Sequence, residues 1–142
     1  MKDLIIVKSY DGEGVGGELA ANEYRCSFLN YLPRLIPEKV VSMQKHMESD
    51  ETFVLLTGNA WIFLADGCDQ PDHIHCVKLE QEKSYTVPLG IWHAPVMSKD
   101  AKILLIENNS TSDDNSPRVP LSEKQKEKVR ELGQVFTSAY AR

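Results

Sequence analysis

The chain has 142 residues, 42% of them apolar and 26% charged, which suits a single soluble globular domain with a core of its own. Sixteen Lys and Arg against twenty-one Asp and Glu give a net charge of -5, and no basic stripe interleaved with aromatics is present, so a nucleic-acid partner is excluded from the expectations. No apolar run approaches the ~18 residues that cross a bilayer, and Leu4, Ile5, Ile6 and Val7 are too few for a secretory h-region, so a cytoplasmic protein with no membrane partner is expected.

From residue 4 to residue 106, short apolar runs alternate with turn residues, the pattern of β-structure rather than of helices. Residues 11–17 carry Gly12, Gly14, Gly16 and Gly17 but lack the lysine and hydroxyl of a phosphate loop, and a flexible turn is the reading. Cys26, Cys68 and Cys76 are odd in number and widely spaced, which fits free thiols better than a disulfide framework. Residues 39–47 form the first strand of interest, with Val40, Ser42, Gln44 and His46 on one face by alternation. Residues 51–57 and 60–65 make a hairpin through Gly58 and Asn59, with Glu51, Phe53 and Leu55 sharing a face.

Residues 66–72 form a loop, and 73–79 and 84–87 are two further strands. Residues 91–97 and 102–107 are the last core pair, with His93 just after the turn Pro88-Leu89-Gly90 and Trp92 on the opposite face from it. A polar, proline-containing connector over 108–120 leads to a helix near 122–139. Its start has the capping-box residues Ser122 and Gln125, and its apolar face carries Val129, Leu132, Phe136 and Tyr140. Gly133 inside that helix costs roughly 1 kcal/mol relative to alanine.

His46, Glu51 and Gly58 read H-x4-E-x6-G, and Pro88, Gly90 and His93 read P-x-G-x2-H. These spacings resemble the two motifs of the cupin superfamily, G-x5-H-x-H-x3/4-E-x6-G and G-x5-P-x-G-x2-H-x3-N, over roughly residues 40–107. The resemblance implies an all-β fold, a double-stranded β-helix or jelly-roll barrel, which alternation alone does not separate from a sandwich. Together with composition and pattern outside that stretch, it leads to the expectation of a barrel over 1–110 and, over 111–142, a connector and C-terminal α-helix packed on the barrel or on a partner subunit. Small cupin barrels commonly pair, so a homodimer is expected.

In the family pattern a histidine stands where this chain has Gln44, while Glu82 and Met97 replace a glycine and an asparagine that are not ligands. The resemblance implies a divalent metal, Mn, Fe(II), Ni or Zn, held by His46, Glu51 and His93 with Gln44 as a fourth ligand. An amide oxygen, harder and weaker than imidazole, tilts such a site toward manganese or iron(II). The competing reading is a pocket without metal in which the same residues make hydrogen bonds. A second set, Cys68, His73, His75 and Cys76, contains zinc-binding residue types, but C-x4-H-x-H-C is no known zinc framework and free hairpin residues are the default. Trp61 and Trp92 are read as packing residues.

The function expected is that of a small-molecule-binding cupin with a metal at the pocket floor, acting on a small polar metabolite by isomerisation, elimination or hydrolysis, or with iron(II) as a dioxygenase. The alternative is a non-catalytic cupin that binds or senses a metabolite after losing its metal. Fold resemblance does not choose between a lyase, an isomerase, a hydrolase and a binding protein.

Overall fold

The computed structural model describes residues 4–136, and Tyr140 therefore lies outside the described residues. Two five-stranded sheets face each other. One has the order β1 (Gly14–Ala20), β2 (Tyr24–Asn30), β9 (Lys102–Asn108), β4 (Glu51–Thr57), β7 (Ser84–Val87). The other has the order β10 (Arg118–Pro120), β3 (Ser42–Gln44), β8 (Trp92–Met97), β5 (Ala60–Asp66), β6 (Asp72–Leu79). Every pairing between these strands is antiparallel. Apart from the consecutive pairs β1–β2 and β5–β6, neighbouring positions in each sheet are filled by strands that do not follow one another in sequence, the signature of a jelly roll rather than a meander.

The core has two layers. Between the sheets, Leu29, Phe53, Leu55, Ile62, Met97, Ile103 and Leu105 are buried together. On the outer face of the second sheet, Met43, Trp61, Phe63, Trp92 and Val96 form another buried layer beneath Val129 and Phe136. Strands β5 and β8 are thus buried on both faces. This accounts for the nearly unbroken apolar run Ala60-Trp61-Ile62-Phe63-Leu64-Ala65, which could not alternate.

Helix α1 (Glu123–Leu132) covers that outer layer. Ser122 and Gln125 close its first turn reciprocally, as their spacing predicts. The helix is interrupted at Gly133, which caps it, and residues 134–136 are helical again; residues 137–139 of the expected helix lie outside the described residues. A Cβ at position 133 would stand 2.5 Å from the Pro37 side chain, so the glycine allows close approach of the helix to the barrel. Phe136 then meets Trp61 edge-on, with ring centroids 5.0 Å apart. No helix among the described residues is long and apolar enough to cross a membrane.

Several local expectations differ from what is observed. Residues 51–57 and 60–65, expected to form a hairpin, and 91–97 and 102–107, expected to form a pair, lie in different sheets, because each short turn crosses the barrel seam instead of folding the strand back on its neighbour. Residues 11–17 are not simply a turn: Gly14 opens β1, whose pairing with β2 shifts between Gly16 and Leu19. Glycine-rich strands lack the side chains that make a period of two readable. The single strand over 39–47 is broken by a 3-10 turn at Pro37–Lys39, and only Ser42–Gln44 is regular. The connector over 108–120 contributes β10, which pairs with β3 and so closes the second sheet beside Gln44. Residues 45 and 47 extend that contact, their amides donating to the carbonyls of Pro117 and Asn115.

Gly58 does not close a hairpin but turns the chain from β4 in one sheet to β5 in the other, and glycine is a structural necessity there. Gly58 has φ +72, and a Cβ there would lie 2.6 Å from the Ala101 backbone. Gly58→Ala is expected to lower stability by about 2 kcal/mol or more, the left-handed penalty plus the backbone clash. Urea denaturation followed by tryptophan fluorescence checks this, and an unchanged midpoint would contradict the role assigned to Gly58.

Candidate functional site

His46, Glu51 and His93 come together from different sheets. Gln44 lies directly opposite His93 in the β3–β8 ladder, which puts both on the inner face. His46 follows two residues later, and its carbonyl accepts a 2.7 Å hydrogen bond from the Gly90 amide. The second motif's turn is therefore tied to the first motif's histidine. Glu51 begins β4 in the facing sheet, between Val87 and Glu107 of its neighbours.

At the bottom of the cavity, Glu51 Oε1 lies 3.3 Å from His46 Nε2 and 3.2 Å from His93 Nε2. The side chains of all three are buried, and one ligand atom from each falls within 4.8 Å of the others. The outer ring nitrogens are engaged elsewhere. His93 Nδ1 faces the Ile91 carbonyl at 3.1 Å and must donate to it. His46 Nδ1 is 2.6 Å from Ser116 Oγ, whose own hydrogen goes to Asn115 Oδ1 at 3.3 Å, so His46 is the donor to Ser116. With both Nδ1–H groups pointed outward, neutral rings present two Nε2 lone pairs to a carboxylate. That arrangement is repulsive unless a cation, a proton or a metal ion, sits among the three.

The donor set fits a divalent metal. Donor atoms held about 2.1 Å from one ion, at right angles or tetrahedrally, stand about 3.0 to 3.4 Å apart, as Glu51 Oε1 does from each histidine. The outward hydrogen bonds fix both rings in the tautomer that leaves Nε2 free to coordinate.

Gln44 stands beside the trio with its amide engaged at both ends. Its oxygen accepts from Arg118 at 3.1 Å and its nitrogen donates to the Ser116 carbonyl at 3.3 Å. Trp92 points to the outer layer, away from His93, as alternation predicts. The set Cys68, His73, His75 and Cys76 does not assemble among the described residues. Cys68, His73 and His75 are exposed, and burial raises the Cys76 thiol pKa to about 11.

Sequence reasoning missed Glu107 and Arg25. Glu107 pairs in register with Glu51, is held within hydrogen-bonding reach of it, and its Oε2 lies 3.9 Å from His46 Nε2. Arg25 clamps Glu107 with Nε and Nη2 at 3.1 and 2.8 Å from one oxygen, and gives a further bond to the Thr111 carbonyl. Burial and then the Glu51 charge push the Glu107 pKa up, with Arg25 opposing. Burial also acts against ionisation of Glu51, but its hydrogen bonds to His46 and His93 win and hold its pKa well below the usual carboxylate range. The only signal in the sequence was the acidic end of an apolar strand, Ile106-Glu107, which by itself reads as a strand terminus.

No protein-family model matches the chain, and no curated protein matches it. Solved structures do. The chain is similar to the sugar 3,4-ketoisomerase QdtA from Thermoanaerobacterium thermosaccharolyticum, at 12% identity over 79% of this chain and 74% of that one, with a TM-score of 0.53. It is likewise similar to WlaRA, a TDP-fucose-3,4-ketoisomerase from Campylobacter jejuni, at 18% identity over 78% and 74% of the two chains, with a TM-score of 0.52. A cupin-2 domain containing protein from Shewanella frigidimarina shares 22% identity over 64% and 76%, with a TM-score of 0.44. The fold is a jelly-roll barrel shared with these ketoisomerases, the architecture that the motif spacing implies.

Titration of the trio carries a testable consequence. Burial works against a proton on His46, but Glu51, with help from Glu107, outweighs it and raises the His46 pKa above its ordinary 6.5. The metal-free fold therefore keeps a proton that the unfolded chain releases near 6.5. The resulting stabilisation is complete below that value and is lost as the pH rises through the folded pKa. Chelator-treated protein should have a lower urea midpoint at about pH 8 than at about pH 6. A midpoint that is flat or rises across this window would remove the proton from between His46 and Glu51.

Proposed function

We propose that the chain is a small-molecule cupin whose pocket floor holds a divalent metal through His46, Glu51 and His93. The observation that carries this is the pair of Nε2 lone pairs converging on one carboxylate oxygen, with both Nδ1–H groups fixed outward. Two histidines and a carboxylate with open positions suit manganese, iron(II), nickel or zinc. Gln44 is given a supporting role, because its oxygen is taken by Arg118.

Such a metal, when bound, supplies Lewis acidity toward a carbonyl, hydroxyl or carboxylate oxygen of the substrate. The chain's own residues do the rest. Phe53 and Leu105 line the cavity with apolar surface near the floor and keep its dielectric low, which strengthens every charge interaction there. Glu107, whose pKa is pushed up by burial and by Glu51, is the carboxyl beside Glu51 better suited to carry a proton, and Arg25 positions it. The cavity, about 360 Å³, is at the lower end of the range for small-molecule pockets and suits a small polar metabolite. Isomerisation is the reaction class we favour. It needs a group that moves a proton between neighbouring carbons, and the sugar ketoisomerases that share the fold lend it support by analogy.

The second reading is a metal-free pocket, and one observation favours it. His46 and Glu51 already close on each other as an ion pair, which satisfies the buried carboxylate with a proton alone. In that form the pocket binds or senses a metabolite, or uses His46 as an acid–base group.

Metal titration separates the two. The wild type should bind manganese, iron(II) or zinc, with affinity falling as the pH drops through the raised pKa of His46, because a ligating histidine must be neutral. His93→Ala should abolish binding by leaving an incomplete ligand set. Equal binding by both proteins, or by neither, defeats the metal and leaves the second reading.

We also take the chain to form a homodimer. Support comes from the exposed Leu4, Ile5, Ile6 and Val7 and from the uncovered edge of β1 with its exposed Val15. Light scattering should give twice the chain mass of 16.0 kDa, and a monomer at all concentrations would overturn it.

A further inference from the structure

The cavity that ends at the histidines is acidic at its floor and basic at its mouth. Arg34, Lys39 and Arg118 line the opening together with Asp113, in a chain whose net charge is -5. Among the described residues, no carboxylate lies within 4.0 Å of any of the three cations, whereas Arg25, deeper in the same cavity, is paired with Glu107. Cations gathered without ion pairs repel each other. At Arg118, burial and then the Arg34 charge push the pKa down, with Asp113 opposing. An excess of positive charge around a concave mouth focuses a positive potential into it.

Arg118 is also aimed. It sits opposite Gln44 in the β10–β3 ladder, and its two terminal nitrogens donate to Ser42 Oγ and Gln44 Oε1, each at 3.1 Å. Both acceptors are neutral, so they orient the guanidinium without discharging it. Gln44 in turn holds the Ser116 carbonyl, and Ser116 Oγ holds His46. The residue that departs from the cupin motif therefore links the mouth to the floor.

We propose that Arg118, held by Gln44 and Ser42, forms with Arg34 and Lys39 an anion-recognition wall for a small metabolite carrying a phosphate or carboxylate group. The opposite end of that metabolite reaches His46, Glu51 and His93, and only this last point rests on the function proposed above. Carboxylate and phosphate share the planar or tetrahedral oxygen set that a guanidinium fork accepts. On this account, the glutamine marks specificity for a charged ligand rather than decay of a metal site.

The test uses three molecules of one carbon frame, glycerol 3-phosphate, glycerate and glycerol, titrated calorimetrically into chelator-treated and metal-loaded protein. At least one of the two anions should bind the chelator-treated wild type, weaken with added salt, and outcompete glycerol, and the tighter of the two identifies phosphate or carboxylate as the natural group. Arg118→Gln should weaken the anion by about tenfold or more, the loss of a charge-assisted hydrogen bond, and Arg118→Lys by less. Circular dichroism and an unchanged urea midpoint confirm that the variants fold. The proposal is overturned if neither anion binds, if glycerol binds as well as they do, or if Arg118→Gln and Arg34→Gln both retain wild-type anion affinity. Anion binding without metal binding would leave this wall standing and defeat the metal reading instead.

Discussion

Glu51 and Glu107 face each other across a β ladder, both largely removed from water, and the rest of the site is arranged around that juxtaposition. Two ionised carboxylates at such a spacing repel strongly in a low dielectric, so the structure has to neutralise at least one of them. It does so unequally. Glu107 is pushed toward its neutral form by burial and the Glu51 charge against the opposing Arg25 fork, while Glu51 receives both histidines and is kept ionised. Two identical side chains thus acquire different protonation preferences from their neighbours alone, a division of roles that acid–base sites repeatedly use.

The same asymmetry explains the position of the histidines. Each ring is held from behind by a group that accepts its Nδ1–H, an Ile91 carbonyl in one case and a Ser116 hydroxyl in the other. The rings therefore keep their orientation whether a proton or a metal occupies the space at Nε2, and the pocket floor requires little rearrangement between those states. Preorganisation of this kind is what makes a site selective for a charge distribution rather than for a shape.

How far the amino-acid order discloses this arrangement depends on the range of the contact. Glu51–Thr57 and Ser84–Val87 are legible because alternation is strong and their ends are marked by turn residues. His46, Glu51 and His93 are legible because their spacing is fixed by two local turns. Strand β1 is hidden by its glycines, and β10 is three residues inside a polar stretch that becomes a strand only because β3 offers it an edge. Arg25 and Glu107 meet across 82 positions through the β2–β9 ladder, a register that no local pattern carries. Arg118 is in the same class, since it is the pairing of β10 with β3 that brings its fork to Gln44.

One feature of the architecture reaches beyond the pocket itself. The floor is assembled across the seam between the two sheets, histidines from one and carboxylates from the other, and what sets the gap is the apolar layer of Phe53, Leu55, Ile62 and Ile103. The distance on which the chemistry depends is thus a readout of packing some way from any polar atom. A lost methylene in that layer would detune the site before it unfolded the chain, so this pocket serves as a gauge of how tightly its own barrel is closed.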